Sequence, residues 1–311
     1  MNIKRIVPNS IKEQIKKIIY GDITKNNWPI KRLEKQIRVD YQNHMGRELD
    51  LKNPKLFTEK IQWMKLYYNN PNLSRCVDKC EFKKYILEKV GEGYTAKLIK
   101  EWESPDEVSF DGLPEKFVVK SNCQSNGRYI VVVKNKETTD LQQLKYNIQK
   151  EWFEPKNLLI NSFCRAYYSV QPKVYVEEYL EEFAGCLNDY KVFCFNGKPE
   201  FFYVATEQFE DGVNTDIYPI SFYSLNWEKM NVTYGPHPSH KNMEKPYHFD
   251  EMLNLSSVLA KDFPFVRVDF FDTKDKLYLA ELTFYPGGGF TNYSPLSFDS
   301  YMGGLLELPI N

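Results

Sequence analysis

The sequence predicts an α+β fold, with helices and mostly antiparallel strands in one chain of 311 residues. Two observations favour this class. Apolar residues recur at helical spacing through the first seventy or so positions, whereas from residue 173 onward short stretches rich in valine, tyrosine and phenylalanine alternate with turns. With 42% hydrophobic and 15% aromatic residues, the chain can bury a core and build more than one lobe.

The N-terminal part is predicted to be helical. Residues 10–20, "SIKEQIKKIIY", place isoleucines on one stripe that lysines border. This pattern fits a helix that lies on an anionic membrane surface, and it also fits a helix that packs on the parent domain. "IKRLEKQIRVDYQNHMG" predicts a second helix that ends at Gly46, and "LFTEKIQWMKLYYNN" predicts a third with Pro71 beyond it. We therefore predict a helical N-terminal region over residues 1–74.

Two lobes are predicted to follow. "VDKCEFKKYILEKVGEG" and "DLQQLKYNIQKEWF" predict helices, and "YTAKLIKEWES", "KFVVKSN" and "RYIVVV" predict strands. These elements indicate a first lobe over 75–176. A second lobe is predicted over 177–311, from the end of the strand "KVYVEEYL" through the strands "DYKVFCFNGKPEFFYVAT" and "SFYSLNW", the helix "FDEMLNLSSVLAKDF" and a last hairpin.

The last hairpin, "FVRVDFFDTKDKLYLAELTFYPGGGF" at 265–290, carries one carboxylate in each apolar strand. If it closes around 274–276, Asp269 lies across from Glu281, and like charges in directly opposed positions destabilise a strand pair. A divalent cation such as Mg²⁺ between the acids would relieve the repulsion, as would protonation of one acid or a salt bridge from Arg267. The following "PGGG" favours a ligand site, because glycines let the backbone approach a ligand and donate N–H groups.

Several classes of protein are excluded or disfavoured. A net charge of -1 does not indicate a nucleic-acid binder. No apolar run reaches the roughly 20 residues that cross a bilayer, and the N-terminus lacks a secretory apolar region, so a cytoplasmic location is expected, with possible peripheral membrane contact through residues 10–20. The six cysteines form no CxxC pair and are expected to be reduced thiols, and four histidines offer little for a His-based triad. The sequence contains no P-loop.

Two further stretches carry polar groups on predicted strands. In "FVVKSNCQSNGRYIVVV", Lys120 ends a strand and a small polar loop with Ser125 and Gly127 follows. This arrangement fits a clamp on nucleotide phosphates, and it also fits an ordinary hairpin with a solvated lysine. In "VYVEEYL", Glu177 and Glu178 lie in mid-strand, which an edge strand would tolerate.

The order of these stretches resembles the ATP-grasp superfamily and, more narrowly, the TupA-like ATP-grasp family, which is named for teichuronopeptide biosynthesis. The matching stretches run from about residue 54 almost to the C-terminus: "LFTEKIQWMKLYYNNPNLSRCVDKCEFKKYI", "LPEKFVVKSN", "EEYL", "DYKVFCFNGKPEF", "FPFVRVDFF" and "YLAELTFYPGGGF". The resemblance implies an ATP-grasp fold, in which two α+β lobes with mostly antiparallel sheets clasp ATP, with Mg²⁺ as the second cofactor.

The resemblance also implies nucleotide contacts. Lys120 would hold the α- and β-phosphates, and Lys79 would be a second cationic contact. Glu177 would meet the adenine amino group, and backbone atoms of Glu178 and Leu180 would read the adenine edge. The loop would contribute two further cofactor contacts, Ser125 and Gly127.

The reacting groups are implied in the same way. The metal ligands would be Asp269, Glu281 and Thr283, the last where most ATP-grasp ligases carry Asn. Arg267 would steady the transferring phosphoryl group, and Lys191 would face the triphosphate. The backbone of Gly287, Gly288 and Gly289 would cradle the acyl substrate. A second departure from the family is the loop "NCQSNG", which has fewer glycines than the usual N-H-G-S-G-G and is predicted to be stiffer.

The resemblance implies a carboxylate–amine ligase that acts through an acyl phosphate. Its substrates would be small molecules or polysaccharide precursors: a uronic acid or amino-acid carboxylate, and an amine. Two alternatives stay open at this point, an ATP-dependent sugar kinase and a weakly active nucleotide-binding scaffold of a polysaccharide assembly complex.

Overall fold

The structure is a computed structural model. It describes residues 29–309 except 123–128, 154–162, 168, 181–187, 207–208, 211–212, 215–216 and 240–241. The predicted helix at 10–20 and the loop residues Ser125 and Gly127 lie outside the described residues.

The described N-terminal residues are helical, as predicted. The first four helices are α1 (Ile30–Met45), α2 (Phe57–Tyr67), α3 (Asn72–Val77) and α4 (Lys79–Val90). The sequence predicts one helix from about residue 77, but Asp78 separates α3 from α4. Its backbone is extended, and its carboxylate accepts hydrogen bonds from the N–H groups of Cys80 and Glu81, so it caps α4.

A small antiparallel sheet has the strand order β1-β4-β2-β3. Its strands are β1 (Leu98–Trp102), β2 (Phe117–Ser121), β3 (Ile130–Val133) and β4 (Val174–Glu178), and helix α5 (Leu141–Glu151) contributes to its core. The strand that carries Glu177 and Glu178 is not an edge strand, because β4 pairs with β1 on one side and with β2 on the other.

A larger antiparallel sheet has the order β10-β9-β6-β5-β12-β13. Helix α6 (Phe249–Ala260) packs on it, and helix α7 (Leu296–Leu305), which the sequence pattern does not predict, lies near the C-terminus. The six strands are β5 (Asp189–Phe195), β6 (Lys198–Ala205), β9 (Ile220–Ser224), β10 (Lys229–Met230), β12 (Phe265–Asp272) and β13 (Leu277–Thr283). Two short ribbons pair β7 (Phe209–Glu210) with β8 (Val213–Asn214) and β11 (Thr233–Tyr234) with β14 (Tyr293–Ser294).

Helix α2 is joined to the C-terminal residues by polar contacts. The Lys60 ammonium donates hydrogen bonds to the carbonyl oxygens of Gly303 and Leu306, at 2.6 Å each. The buried carboxylate of Asp299 accepts from the backbone N–H of Thr58 at 2.9 Å and from its hydroxyl at 2.7 Å. Helix α2 therefore packs against α7 and the residue after it. The bounds of the three predicted regions stay a prediction.

The α+β class is confirmed. Among the described helices, none is both long enough and apolar enough to cross a membrane. The described cysteines, Cys76, Cys80, Cys164 and Cys194, are buried thiols that form no disulfide bond within the described residues, as predicted for them. Cys123 and Cys186 lie outside the described residues.

Candidate active site

One row of side chains crosses the larger sheet. The backbone register places Tyr203 on β6, Lys191 on β5, Asp269 on β12 and Glu281 on β13 in successive paired positions. The predicted pairing of Asp269 with Glu281 is therefore confirmed. Arg267, two residues before Asp269, lies on the same face of β12, because side chains alternate along a strand.

Asp269 lies at the centre of this row and is fully buried. Its Oδ1 accepts from Arg267 Nε at 2.7 Å, and its Oδ2 accepts from Arg267 Nη2 at 2.5 Å and from Lys191 Nζ at 2.7 Å. Burial raises the pKa of Asp269, and the charges of Arg267 and Lys191 limit the rise to about 6. The Arg267–Asp269 salt bridge, one of the alternatives from the sequence, is present as a bidentate pair.

Glu281 occupies the edge of the row, and its side chain is 50% exposed. Its Oε1 accepts from Thr283 Oγ1 at 2.7 Å and from Arg267 Nη2 at 3.3 Å. Partial desolvation opposes ionisation, but the charges of Arg267 and Lys191 lower the pKa of Glu281 overall, and Lys79 contributes in the same direction. Glu281 is therefore an anion at neutral pH and is reachable from solvent.

Lys191 is held between two carboxylates. Its Nζ lies 2.5 Å from Asp189 Oδ2 and 2.7 Å from Asp269 Oδ2. Burial alone would lower the pKa of Lys191, but Asp189 and Asp269 raise it above its ordinary value. Positive and negative charges balance in this cluster, which consists of Lys79, Lys191, Arg267, Asp189, Asp269 and Glu281.

The donor set suits a magnesium ion that is shared with a substrate. Within the described residues, no group of three or more His, Cys, Asp or Glu side chains could hold a metal ion by itself. Mg²⁺ is commonly bound by one or two carboxylates together with substrate phosphates and water. Asp269 and Glu281, with the Thr283 hydroxyl beside them, fit that kind of partial site.

A second ionic cluster lies on the small sheet. Glu177, which is 5% exposed, pairs through Oε1 with the ammonium of Lys120, and its Oε2 lies 2.8 Å from Lys83 Nζ. Burial would raise the pKa of Glu177, but the two lysines lower it to about 2. The structure therefore brings together Lys120 and Glu177, two of the predicted nucleotide contacts, and adds Lys83, which sequence reasoning missed.

Helix α4 links the two clusters. Lys79 is its first residue and interacts electrostatically with Glu281 on the larger sheet, whereas Lys83, one turn later, pairs with Glu177 on the small sheet. Residues four apart share one helix face. The spacing of the two lysines is the signal that could have identified Lys83.

The other predicted adenine contacts lie at the end of β4. The backbone N–H of Glu178 donates to the carbonyl of Lys97 at 3.0 Å, and Glu178 Oε1 accepts from the Lys97 N–H at 2.8 Å. This N–H is therefore engaged by Lys97, and the adenine contact predicted for the Glu178 backbone stays a prediction. Leu180 is half-buried and follows β4 directly.

Asn122, which sequence reasoning also missed, anchors the start of the predicted phosphate loop. It is fully buried, and its side chain donates to Asp78 Oδ2 and to the carbonyl of Gln171, at 2.9 Å each. The side-chain oxygen accepts from Lys173 N–H at 2.8 Å. Its backbone N–H donates to the Lys173 carbonyl at 3.0 Å, and its carbonyl accepts from Lys79 N–H at 3.3 Å. The loop thus starts from a fixed point beside the N-terminus of α4.

The predicted glycine cradle is a 3₁₀ turn, Pro286–Gly289. Gly287, Gly288 and Gly289 have φ angles of 56°, 62° and 72°, in the left-handed region that favours glycine. A Cβ atom on Gly287 would lie 2.2 Å from Thr291 Oγ1, and one on Gly289 would lie 2.5 Å from Gln62 Nε2. Space as well as conformation therefore requires glycine at these two positions.

Comparisons with known proteins extend this description. No curated protein matches the chain. Among solved structures, D-alanine–D-alanine ligase from Bacillus anthracis is 20% identical over 68% of this chain and 58% of that one, with a TM-score of 0.40. Phosphoribosylamine–glycine ligase from Thermotoga maritima is 14% identical over 68% of this chain and 48% of that one, with a TM-score of 0.42.

A third solved structure, carboxyaminoimidazole ribonucleotide synthase from Aspergillus clavatus complexed with ATP, is 15% identical over 76% of this chain and 53% of that one, with a TM-score of 0.41. The chain thus spans about half the length of these structures. The family model described as TupA-like ATPgrasp matches residues 59–307. The chain therefore belongs to the TupA-like ATP-grasp family.

Proposed function

We propose that this protein is an ATP-dependent carboxylate–amine ligase that activates a carboxylate as an acyl phosphate. The observation that carries the proposal is the row formed by Lys191, Asp269 and Glu281 with Arg267 beside it. Phosphoryl transfer depends mainly on positioning and on neutralising developing charge, and this row supplies both signs of charge on a rigid sheet. The three solved structures described above are named as two ligases and a synthase.

In this proposal Asp269 and Glu281, with Thr283, would hold Mg²⁺, and the ion would neutralise charge on the terminal phosphates of ATP. With these carboxylates at the metal, Arg267 and Lys191 would be available as donors to phosphate oxygens. The Arg267–Asp269 salt bridge and the metal site are then two states of the same residues.

The nucleotide would lie along α4 and the small sheet. Lys120 and Lys79 would contact its phosphates, and Ser125 and Gly127 are proposed as two further cofactor contacts. Glu177 would accept from the adenine amino group, and the Glu178 carbonyl and the Leu180 backbone would complete the contact with adenine. Lys120 changes partner in this step, from Glu177 to a phosphate oxygen.

The acyl group would lie against the turn formed by Gly287, Gly288 and Gly289, which begins three residues after Thr283. The carboxylate is proposed to be a uronic acid or amino acid in a precursor of a surface polysaccharide, and the amine to be an amino acid or another small amine. This substrate class rests on the family. We place the reaction in the cytoplasm, with possible membrane contact through residues 10–20.

Calorimetric titration of Mg-ATP into the wild type, Asp269→Asn and Glu281→Gln tests the site. Asp272→Asn is the matched control, because Asp272 is a buried carboxylate on the same strand that pairs with His248 at 2.6 Å instead. The wild type and the control should bind alike, and the two site variants should lose at least tenfold in affinity with unchanged circular dichroism. Equal binding by all four proteins, or no binding by the wild type, would contradict the proposal.

Products then test the reaction. With candidate acids and amines, a ligase releases ADP and inorganic phosphate and forms an amide. A stable phosphate ester without free phosphate would show a kinase instead.

A further inference from the structure

Lys65 on α2 is a buried cation beside the glycine turn. It is 1% exposed, and its ammonium donates a hydrogen bond to the carbonyl oxygen of Gly288 and lies 4.6 Å from the centre of the Phe290 ring. Among the described residues, no carboxylate forms an ion pair with it. Burying an ammonium without a carboxylate is costly, so its retention at this position needs a reason.

Gln62, one turn earlier on α2, contacts the same turn. It is fully buried, and its Nε2 donates to the carbonyl oxygens of Gly288 at 3.1 Å and Gly289 at 2.9 Å. Two side chains of one helix therefore hold two successive carbonyl groups.

These contacts set the direction of a peptide N–H. In a trans peptide the C=O and the following N–H point in opposite directions. Because the Gly288 carbonyl points at Lys65, the N–H of Gly289 points away from α2. Gly287, two residues earlier in the turn, is exposed. A Cβ atom on Gly287 would lie 3.0 Å from the hydroxyl of Tyr234.

We propose that Lys65 and Gln62 are positioning residues that fix the peptide groups of the glycine turn, and that the charge of Lys65 polarises the Gly288–Gly289 peptide, whose N–H lies within the 3₁₀ turn. The polarisation follows from the geometry, because a cation at the carbonyl oxygen withdraws electron density from the whole amide, and a stronger N–H donor keeps the turn in one shape. That this shape serves an acyl group lying against the turn rests on the proposed ligase function.

The charge of Lys65 depends on pH. Burial lowers the pKa of Lys65 to about 8, and neither Cys164 nor Asp40, whose charges favour the ammonium, offsets this. Among the described residues, His44 on α1 is a further titratable group on this side of the turn, and it stacks on Phe290 at 4.7 Å between ring centroids. The ammonium is therefore present below about pH 8 and lost above it.

The turn can be observed directly by NMR of protein labelled with ¹⁵N-glycine, titrated from pH 6.5 to 9.5. The Gly289 amide resonance, assigned through the neighbouring labelled glycines, should shift with a midpoint near pH 8 in the wild type. The shift should be absent in Lys65→Met and in Lys65→Arg, which cannot deprotonate in this range. Lys60→Met is the matched control, because Lys60 also lies on α2 and caps two carbonyls, but away from the turn. The inference is overturned if the Gly289 resonance does not shift between pH 6.5 and 9.5, or if it shifts with the same midpoint in Lys65→Met as in the wild type.

A second measurement uses acetyl phosphate as a simple acyl phosphate. With Mg-ADP, the reverse of the activation step transfers its phosphoryl group to ADP and gives ATP and acetate, and the rate of ATP formation is measured. Lys65→Met should lower this rate at least tenfold while Mg-ADP affinity changes less than twofold, and Lys65→Arg should recover part of the rate. An equal rate in Lys65→Met and Lys60→Met overturns the role of Lys65. A wild type that makes no ATP, with the Gly289 titration present, contradicts the ligase proposal for this probe and supports the positioning of the turn.

Discussion

The Lys83 ammonium lies 2.8 Å from Glu177 Oε2, while Lys120 pairs with the other oxygen of the same carboxylate. Lys83 also donates to the Ala96 carbonyl at 2.6 Å, so its position is fixed from two sides. Removing the only partner of a buried ion is strongly destabilising, by about 3–5 kcal/mol. Because Lys83 remains as a partner, Lys120 can turn to a phosphate without leaving Glu177 uncompensated.

Replacement of Lys83 by methionine should therefore weaken the binding of Mg-ATP. Without Lys83, Glu177 holds Lys120 more tightly, and that ion pair competes with the phosphates. We expect a loss of about tenfold in affinity, or about 1.4 kcal/mol, by isothermal titration calorimetry. Lys84→Met is the control, because Lys84 is 50% exposed and pairs with Glu81 on the surface. Equal affinities of the two variants would show that Lys83 has no part in nucleotide binding.

Asn122 is expected to stabilise the fold more than its size suggests. Its side chain forms three of the hydrogen bonds described above, with Asp78, Gln171 and Lys173. Asn122→Ala removes all three hydrogen bonds and takes one donor from the buried Asp78 carboxylate. We expect a loss of roughly 2–4 kcal/mol in the free energy of unfolding, since a hydrogen bond contributes about 1 kcal/mol and an unsatisfied buried group costs about 1–3 kcal/mol.

Urea denaturation measures this loss, with Asn135→Ala as the control. Asn135 is exposed, and its side chain accepts a single hydrogen bond, from Thr138 N–H at 3.0 Å. If the two variants lose the same free energy, the network around Asn122 is not the anchor that we describe.

The last hairpin was the part of the site that the sequence could predict best. Two short strands with alternating apolar residues around a tight turn can pair in only a few registers. The pairing of Asp269 with Glu281 therefore follows from local spacing alone. The contact of Asp269 with Lys191 needs the neighbouring strand β5, which is distant in sequence, and the family resemblance rather than the residue pattern pointed to Lys191.

Other features depend on contacts that no local pattern reports. The sequence indicated only that an edge strand would tolerate an acid such as Glu177 in mid-strand. In the structure the strand is central, and two lysines from other elements pair with Glu177. Lys65 and Gln62 look like ordinary residues of an amphipathic helix. Only the packing of α2 on the glycine turn shows that they cap its carbonyls.

Two glycines should respond in opposite ways to alanine. At Gly289, with φ of 72°, a Cβ atom would lie 2.5 Å from Gln62 Nε2 and 2.7 Å from Ile61 Cγ2, both in the packed helix α2. Left-handed strain and overpacking each cost about 1–3 kcal/mol, so Gly289→Ala should lower the free energy of unfolding by at least about 2 kcal/mol.

Gly304 lies in α7 with nothing within 4 Å of the added atom, so Gly304→Ala should stabilise by about 0.5–1 kcal/mol through helix propensity. Thermal unfolding of both variants shows whether each is less or more stable than the wild type. A tolerated alanine at 289 would mean that the turn is not held as tightly against α2 as its contacts indicate.

The last prediction concerns the pH dependence of stability that Lys65 imposes. Folding lowers the pKa of Lys65 from its ordinary value of 10.5 to about 8. Between these values the unfolded chain holds a proton that the folded chain has released, so the contribution of Lys65 to stability rises with pH across this window. Below pH 8 the full cost of burying the charged ammonium is present: the difference between 10.5 and about 8, at about 1.4 kcal/mol per pKa unit, gives about 3.5 kcal/mol.

The test compares the free energies of unfolding of the wild type and Lys65→Met in urea from pH 7 to 9.5, because the difference cancels other groups that titrate in this range. From pH 7 to 9.5, the free energy of unfolding of the wild type should rise by about 1–2 kcal/mol relative to that of Lys65→Met. This rise is smaller than the full cost because the pH interval ends below the pKa of the unfolded chain. A difference that stays constant or falls with pH would mean that Lys65 is not the buried, charged group described here. A rising difference would show that the chain retains a cation that weakens its fold at neutral pH, and that is expected where the charge serves the glycine turn rather than stability.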